Sequence, residues 1–461
     1  MAFASGELDH TKAIPERAWT ITLCAFVILA IALGGTSEPM PVPAFLLRVS
    51  SILVITAGLI RIGFAPPNRA AREAFVIILL SIGLILLHLI PLPPIVWGSL
   101  PGRNFVMEQL RAAGSEPGWM ALSLSPPATR IAFLAMLAPI AAFIAALSLS
   151  ANERWLVAIV LLICVLASIL LGLAQKFQGP RSILNFYGDG GGEWATGTFA
   201  NRNFFAALLY CAIPVTWALA LRVMRRHVNK YLVGAFASVM LLAVILGLAA
   251  AGSRAGIILA MLALLGSAAI GLGATGLNRR NSQSRWAIMA AIAALLLIGQ
   301  FGMVAILRLA ELDPVSDYRT QISETTLRAA WDYFPVGSGF GTFVPVYAMH
   351  ETPASILSAY VNHAHNDWLE LWLEGGLPAA LVMLAFLAWY LVNLYRLWRP
   401  REDAEGLLLA RAGAIACGLL LLHSLVDYPL REPALAVVFG LMCAFIAGVS
   451  AHRKAAQGRK P

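Results

Sequence analysis

The chain has 461 residues, of which 59% are hydrophobic and 12% are charged, and its formal net charge is +9. A soluble protein of this length would divide into roughly two or three domains. Here, however, apolar runs of about 20 residues, the length of a helix that crosses the bilayer core, recur from Trp19 to Val449. The composition therefore excludes an ordinary soluble protein and predicts a polytopic membrane protein that forms a single transmembrane domain over residues 1–461.

The apolar runs predict about twelve transmembrane helices and an all-α fold. The first run follows Lys12 and Arg17 but has no clear cleavage site, so we expect a retained span and not a signal peptide. In chain order the predicted spans are 18–34, 44–62, 75–97, 128–149, 155–175, 203–221, 231–250, 255–275, 286–307, 366–395, 406–427 and 432–450.

The five cysteines all lie within these apolar runs and show no CxxC spacing. We therefore expect packing residues, and neither metal ligands nor a disulfide framework. They are Cys24, Cys164, Cys211, Cys417 and Cys443.

Basic residues are unevenly distributed between the two sides of the predicted spans. If both termini are cytoplasmic, 20 of the 33 Lys and Arg residues lie on the cytoplasmic side, twelve lie on the opposite side, and Arg411 lies within a span. Because cytoplasmic loops are enriched in Lys and Arg, this distribution predicts cytoplasmic termini and accounts for the net charge without a nucleic-acid partner. The long connections 98–127, 176–202 and 308–365 then lie on the outer side, where such loops often carry function.

Asn362 to Ala380 reads NHAHNDWLELWLEGGLPAA and places two histidines, an aspartate and two glutamates at the start of a span. His363 and His365 with nearby carboxylates could bind zinc, but no HExxH, third histidine at helical spacing or cysteine pair supports a metal site. The alternative is that the polar residues cap a helix, with Asn366 or Asp367 as the N-cap.

Two more polar segments begin spans on the outer side. In GSRAG, 252–256, Arg254 either faces a polar cavity and a substrate or extends its charged end to the membrane surface. In ATGTFANRNFF, 195–205, Asn201 or Asn203 either caps a helix or binds a ligand. The glycine-rich GSGFGTF, 337–343, lacks the GxGxxG spacing of a dinucleotide site and is expected to form a turn.

Arginines and histidines on one side of a membrane suggest an anionic lipid head group as the substrate. Arginine matches phosphate oxygens with a fixed fork of donors, and histidine can take a proton from an attacking hydroxyl. This combination favours glycosyl transfer from a diphosphate-linked lipid without a metal or other cofactor.

The run H-N-x9-G-x-x-A, from His365 and Asn366 to Gly376 and Ala379, resembles the H-N-x9-G-x-x-G signature of the O-antigen ligase and polymerase superfamily of bacterial envelope glycosyltransferases. TGTFANRN, GSRAG, LRAAW with the following GSGFGTF, and HSLVDYPL at 423–430 also resemble recurrent segments of that superfamily, in the same order. The resemblance covers about residues 195–430, whereas 1–190 matches only as a set of spans. Ala379 replaces the usual glycine by another small residue.

The resemblance implies a GT-C-like fold of twelve spans with a long periplasmic loop, 308–365, between spans 9 and 10. It implies an active face on the periplasmic side of the bacterial inner membrane, an undecaprenyl-diphosphate-linked oligosaccharide as donor, and a glycan or lipid as acceptor. Membrane lipid and other envelope-assembly proteins are the further partners expected.

Site residues carry over by position. His365 would be the general base and Arg254 one of the diphosphate-binding arginines. The second arginine would lie in the long outer loop; we favour Arg328, which opens LRAAW, with Arg319 as the alternative. The residues expected to support them are Asn366, Arg202, His363 and Glu374.

The superfamily includes polymerases, which extend another lipid-linked unit, and ligases, which transfer glycan to lipid A-core or protein. We favour an exopolysaccharide or O-antigen polymerase because of HSLVDYPL, with a ligase as the alternative. A transporter or flippase of lipid-linked saccharide is the third hypothesis, and it should tolerate loss of His365 better than loss of the arginines.

Overall fold

The computed structural model describes residues 15–37, 40–187, 193–226, 229–275, 315–353, 356–357, 360–399 and 405–457. In this part of the chain the structure is almost wholly helical, which confirms the all-α prediction. Two short strands, β1 (Pro91–Leu92) and β2 (Met120–Ala121), pair antiparallel. The helices are α1 (Glu16–Leu33), α2 (Pro41–Arg61), α3 (Arg69–Leu87), α4 (Pro94–Gly98), α5 (Asn104–Ala112), α6 (Pro126–Ala135), α7 (Leu137–Leu147), α8 (Ala151–Gln178), α9 (Arg202–Arg225), α10 (Lys230–Ala251), α11 (Arg254–Thr275), α12 (Val315–Asp332), α13 (Phe343–His350), α14 (Asp367–Trp398), α15 (Glu405–His423) and α16 (Pro433–Gln457).

Ten helices among the described residues are long and apolar enough to cross a membrane, counting Pro126–Leu147 as one. They match ten of the predicted spans, and the apolar part of α16, Pro433–Val449, is a shorter match to the last. The predicted span 286–307 lies outside the described residues. The chain is therefore a polytopic membrane protein.

The predicted third span ends earlier than expected. The sequence pattern continued it to residue 97, whereas α3 ends at Leu87 and the chain turns into β1. Three prolines, Pro91, Pro93 and Pro94, explain the difference, because proline lacks the N–H that an α-helix needs and disfavours helical backbone in the residue before it.

Small and apolar side chains allow the helices to pack closely. α9 is almost entirely buried and contacts α8, α10, α11 and α15, so it forms the centre of the bundle. Glycines bring other helices together; for example, a Cβ at Gly440 of α16 would collide with the backbone of Pro139 in α7. Close approach at small residues is the usual basis of helix association in membranes. The five cysteines are free, and all but the partly buried Cys164 are buried, which agrees with a packing role.

The connections predicted to share the outer side meet at one end of the bundle. In the first of them, the buried guanidinium of Arg103 donates from Nη2 to the carbonyl oxygens of Leu122 (2.7 Å) and Gly337 (3.1 Å). The backbone N–H of Leu124 donates to the carbonyl of Ser338 at 2.9 Å. The long loop before α14 is thus fixed to the segment that precedes α6.

Gly376 interrupts α14. Its φ of 59° and ψ of −148° are non-helical, and a Cβ there would collide with the carbonyl of Pro335. The backbone of the GSGFGTF turn fills the break: Ser338 N–H donates to the carbonyl of Leu373 (3.0 Å), and Leu377 N–H donates to that of Pro335 (2.8 Å). The break separates an outer part of α14, which carries the polar residues, from a long inner part.

Candidate functional site

Asp427 is the centre of a polar network at this end of the bundle. It lies in the turn after α15 and is fully buried. Its Oδ1 is 3.1 Å from Nδ1 of His365, and its Oδ2 accepts from Nδ2 of Asn203 (2.8 Å) and Nη2 of Arg319 (3.1 Å). The carboxylate therefore joins residues from four distant parts of the sequence.

Charge and hydrogen bonding keep Asp427 ionised. Burial by itself would raise the pKa of this carboxyl, but the hydrogen bond from His365 and the charge of Arg319 outweigh burial, and the pKa lies well below its usual range. An ionised carboxylate can only accept, so Nδ1 of His365 carries the proton in this contact. In the neutral imidazole with this tautomer, Nε2 holds the lone pair that a general base requires.

The backbone around His365 fixes the direction of its ring. His365 has a φ of 50°, which is unfavourable for a residue with a side chain. The following residue, Asn366, is the N-cap of α14 and accepts from the N–H groups of Trp368 and Leu369, both at 3.0 Å. Of the two predicted alternatives, Asn366 is therefore the N-cap, and Asp367 is the first residue of the helix. The strained turn allows the chain to enter α14 while the His365 side chain reaches Asp427.

The GSRAG segment forms the predicted tight turn and connects to the same network. Gly252 ends α10 in the left-handed conformation, with a φ of 59°. Ser253 Oγ accepts from Gly256 N–H at 3.1 Å and donates to Oδ1 of Asn203 at 2.8 Å. Arg254, the next residue, begins α11 and is half-buried. Its turn is thus linked to Asp427 through Asn203.

Arg319 and Arg328, the two alternatives for the second arginine, both lie on α12. They are nine residues apart, and at about 100° per residue they project from opposite sides of the helix. Arg319 contacts Asp427 (3.1 Å), whereas Nη2 of Arg328 donates to Oγ1 of Thr325 at 3.2 Å. The geometry joins Arg319, and not the favoured Arg328, to the network of His365.

A second polar cluster surrounds Arg431 in the 3₁₀ turn before α16. Its guanidinium lies 3.2 Å from Glu370, 3.1 Å from Glu374 and 3.5 Å from Asp367, three acidic residues at i, i+3 and i+7 on one face of α14. Nδ1 of His363 is 2.9 Å from Glu370. His363 and Glu374, both predicted as supporting residues, therefore belong to this cluster and hold the outer part of α14 in place.

Tyr428 lies between the two clusters. Its ring centroid is 5.1 Å from that of His365 and 4.2 Å from that of His363. Burial raises the pKa of its phenol, and its hydroxyl oxygen accepts from Nδ2 of Asn362 at 3.3 Å. The ring is thus a neutral, fixed wall against which both histidines pack.

An apolar cavity of about 630 Å³ reaches the second cluster from within the bundle. Its walls come from α3, α6, α14 and α16, and include Ile77, Val382 and Phe439. His363 and Arg431 lie at its polar end. A cavity of this volume and polarity is suited to hydrocarbon.

Arg202, another predicted supporting residue, contacts an aromatic ring. Its guanidinium carbon is 4.9 Å from the ring centroid of Trp194, and the Lys176 amino group is 5.0 Å from the same ring. This arrangement is a cation–π contact at the start of α9.

Sequence reasoning assigned no role to Asp427 or Arg431, although both lie in or beside the recognised HSLVDYPL segment. A signal was available, because Asp427 falls within the predicted span 406–427, and a charged residue inside a membrane span is costly unless it is paired or functional. Its partner could not be read from the sequence, since His365 and Asp427 are 62 residues apart.

Comparison with known families agrees with this geometry. The family model described as O-antigen ligase matches residues 239–385, a range that contains Arg254, Arg319 and His365. A comparison with curated proteins found no match. Residues 239–385 are thus similar to the O-antigen ligase family, and together with the helical membrane architecture this match supports the resemblance to the O-antigen ligase and polymerase superfamily.

Proposed function

We propose that this protein is a metal-independent glycosyltransferase that moves a saccharide from an undecaprenyl-diphosphate-linked donor to an acceptor hydroxyl. The observation that carries the proposal is the buried Asp427, which contacts both His365 and Arg319 at 3.1 Å. A base and a cation held by one carboxylate are the two groups that this reaction needs. Binding without reaction, as in a transporter or flippase, would not require an oriented base.

The proposed reaction assigns one role to each of these groups. Arg254 and Arg319 bind the donor diphosphate. The acceptor hydroxyl gives its proton to Nε2 of His365 as its oxygen bonds to the anomeric carbon, and the bond from that carbon to the diphosphate oxygen breaks. The arginines stabilise the charge on the departing diphosphate, and Asp427 stabilises the imidazolium.

The apolar cavity beside the second cluster accommodates hydrocarbon of a lipid-linked substrate, since its walls are apolar and its volume is about 630 Å³. We favour a polysaccharide polymerase, on the resemblance of HSLVDYPL, with a ligase as the alternative. The protein would act in the bacterial inner membrane with both termini in the cytoplasm and the Asp427 end in the periplasm, as the basic residues suggest.

His365→Ala tests the proposed base. Loss of a general base costs about 10²–10⁴-fold in rate, so purified protein should lose glycan transfer while it still binds lipid-linked donor. His350→Ala is the matched control, because His350 also contacts an aspartate at 3.1 Å, but on the surface and in α13. Transfer by His365→Ala at the level of His350→Ala would refute the proposed reaction.

Cysteine labelling tests the orientation. Ser115 and Ala65 are both exposed and lie on opposite sides of the predicted spans. Ser115→Cys should react with a membrane-impermeant maleimide on intact spheroplasts, and Ala65→Cys only after permeabilisation. The reverse pattern would place Asp427 on the cytoplasmic side.

A further inference from the structure

The side-chain amide of Asn203 forms hydrogen bonds that are not part of the helix cap. The cap of α9 is Asn201, which accepts from the N–H of Asn203 at 2.8 Å. The side chain of Asn203 is therefore available for other contacts. Its Nδ2 donates to Oδ2 of Asp427 and its Oδ1 accepts from Oγ of Ser253, both at 2.8 Å.

The direction of this amide is fixed from both sides. Asp427 is ionised and can only accept, so the NH₂ group of Asn203 faces it and the amide oxygen faces Ser253, which is 1% exposed and donates its hydroxyl proton to that oxygen. A flipped amide would place its oxygen against the carboxylate of Asp427, an acceptor against an acceptor. The carboxylate therefore orients the amide, and the hydroxyl of Ser253 supports that orientation by donating to the amide oxygen.

Asn203 and Arg319 donate to the same oxygen of Asp427 but differ in charge. The Arg319 side chain is 32% exposed, and under the proposed function its guanidinium also binds the donor diphosphate. Asn203 is uncharged and is half-buried in the first turn of α9. Under the proposed function, contact of Arg319 with the diphosphate leaves Asn203 as the side-chain donor that holds Oδ2 of Asp427.

We infer that Asn203 is a positioning residue for the transfer reaction and that Ser253 supports its orientation, so that the turn carrying Arg254 and the base are aligned through one chain of hydrogen bonds. This inference rests on the proposed function. It adds that the GSRAG turn contributes to kcat through Ser253, separately from the diphosphate contact of Arg254.

The test compares kcat and KM for purified full-length variants with a lipid-linked saccharide as substrate. A hydrogen bond to a charged group is worth about 10- to 100-fold, so Asn203→Ala should lower kcat by that factor and leave KM for the donor within a few-fold. Asn201→Ala is the matched control: it removes the cap of the same helix and should lower Tm without a change in kcat. Ser253→Ala should lower kcat, Ser253→Thr should retain it, and the double variant with Asn203→Ala should lose no more than Asn203→Ala alone.

Several results would overturn the inference. One is an Asn203→Ala variant with wild-type kcat, and another is a variant with raised KM alone, which would make Asn203 a donor contact. If Asn203→Ala does not fold, the comparison of Ser253→Ala with Ser253→Thr tests the inference in its place. Equal kcat in these two variants would reject the inference. Full transfer by His365→Ala would instead reject the proposed function, whatever the Asn203 variants show.

Discussion

Asp427→Asn keeps the shape of the side chain and removes its charge. The carboxylate accepts from His365, Asn203 and Arg319. An amide has one acceptor oxygen in place of two, and its NH₂ group would face a donor. The charge of Arg319, and the imidazolium that forms on His365 during transfer, would both lose their buried counter-charge.

The size of the effect follows from these contacts. A hydrogen bond to a charged group contributes about 1.5–3 kcal/mol, so the loss of two such bonds costs on the order of 3–6 kcal/mol if they add. At about 1.4 kcal/mol per tenfold in rate, Asp427→Asn should lower kcat by about 10²–10⁴-fold. Because the pKa of Asp427 is lowered, its contribution is present above the ordinary aspartate pKa and is lost only as pH falls through the lower folded value. Wild-type transfer should therefore show no loss attributable to Asp427 between pH 5 and 8.

The assay is single-turnover transfer from lipid-linked saccharide by the purified protein, with Asp332→Asn as the control. Asp332 forms the same contact with His350, at 3.1 Å, but its side chain is 63% exposed. A pair of this kind contributes about 0–1 kcal/mol, so Asp332→Asn should stay close to wild type. An Asp427→Asn rate within tenfold of wild type would show that the network does not orient the base.

Three further predictions concern the donor site, the cavity and a buried acid. Arg319→Ala should lower kcat/KM by about 10²–10³-fold, as for loss of a charge-stabilising group, while Arg328→Ala should stay close to wild type; the reverse result would restore Arg328 as the second arginine. Val382→Trp should fill the apolar cavity and reduce transfer, whereas Leu384→Trp, on the exposed face of the same helix, should not; equal activity would exclude hydrocarbon binding there. Burial raises the pKa of Glu432 from 4.5 to about 8, so the folded state binds more protons and wild-type stability should fall as pH rises between these values. Glu432→Gln should flatten that dependence in Tm measurements at pH 5 and 9, and an unchanged slope would contradict the assignment.

The spans and local caps could be predicted from the sequence because they depend on neighbouring residues. Apolar runs set helix length, Asn366 satisfies the first N–H groups of α14, and Gly252 permits the turn before Arg254. The choice between Arg319 and Arg328 could not be made in this way. Their spacing places them on opposite faces of α12, but which face meets Asp427 depends on how α12 packs against distant segments.

The polar network also could not be predicted in full. Nothing local to Asp427 indicates that it binds His365 rather than Arg431, which is four residues away and nearer in sequence. Arg431 instead pairs with the acidic face of α14, a choice fixed by tertiary packing. Charged residues at span ends therefore predict that a site exists, and the fold determines which of them act together.

The break at Gly376 has a consequence for chimeras that exchange segments between related proteins. The outer part of α14 is held by backbone hydrogen bonds to the Pro335–Gly339 turn, and a Cβ at Gly337 would collide with the carbonyl of Glu374. The turn and the start of α14 are therefore complementary in shape to each other. A chimera that imports the Pro335–Gly339 turn without the matching start of α14 should misplace His365. A chimera that transfers both segments together should keep the hydrogen bonds between them.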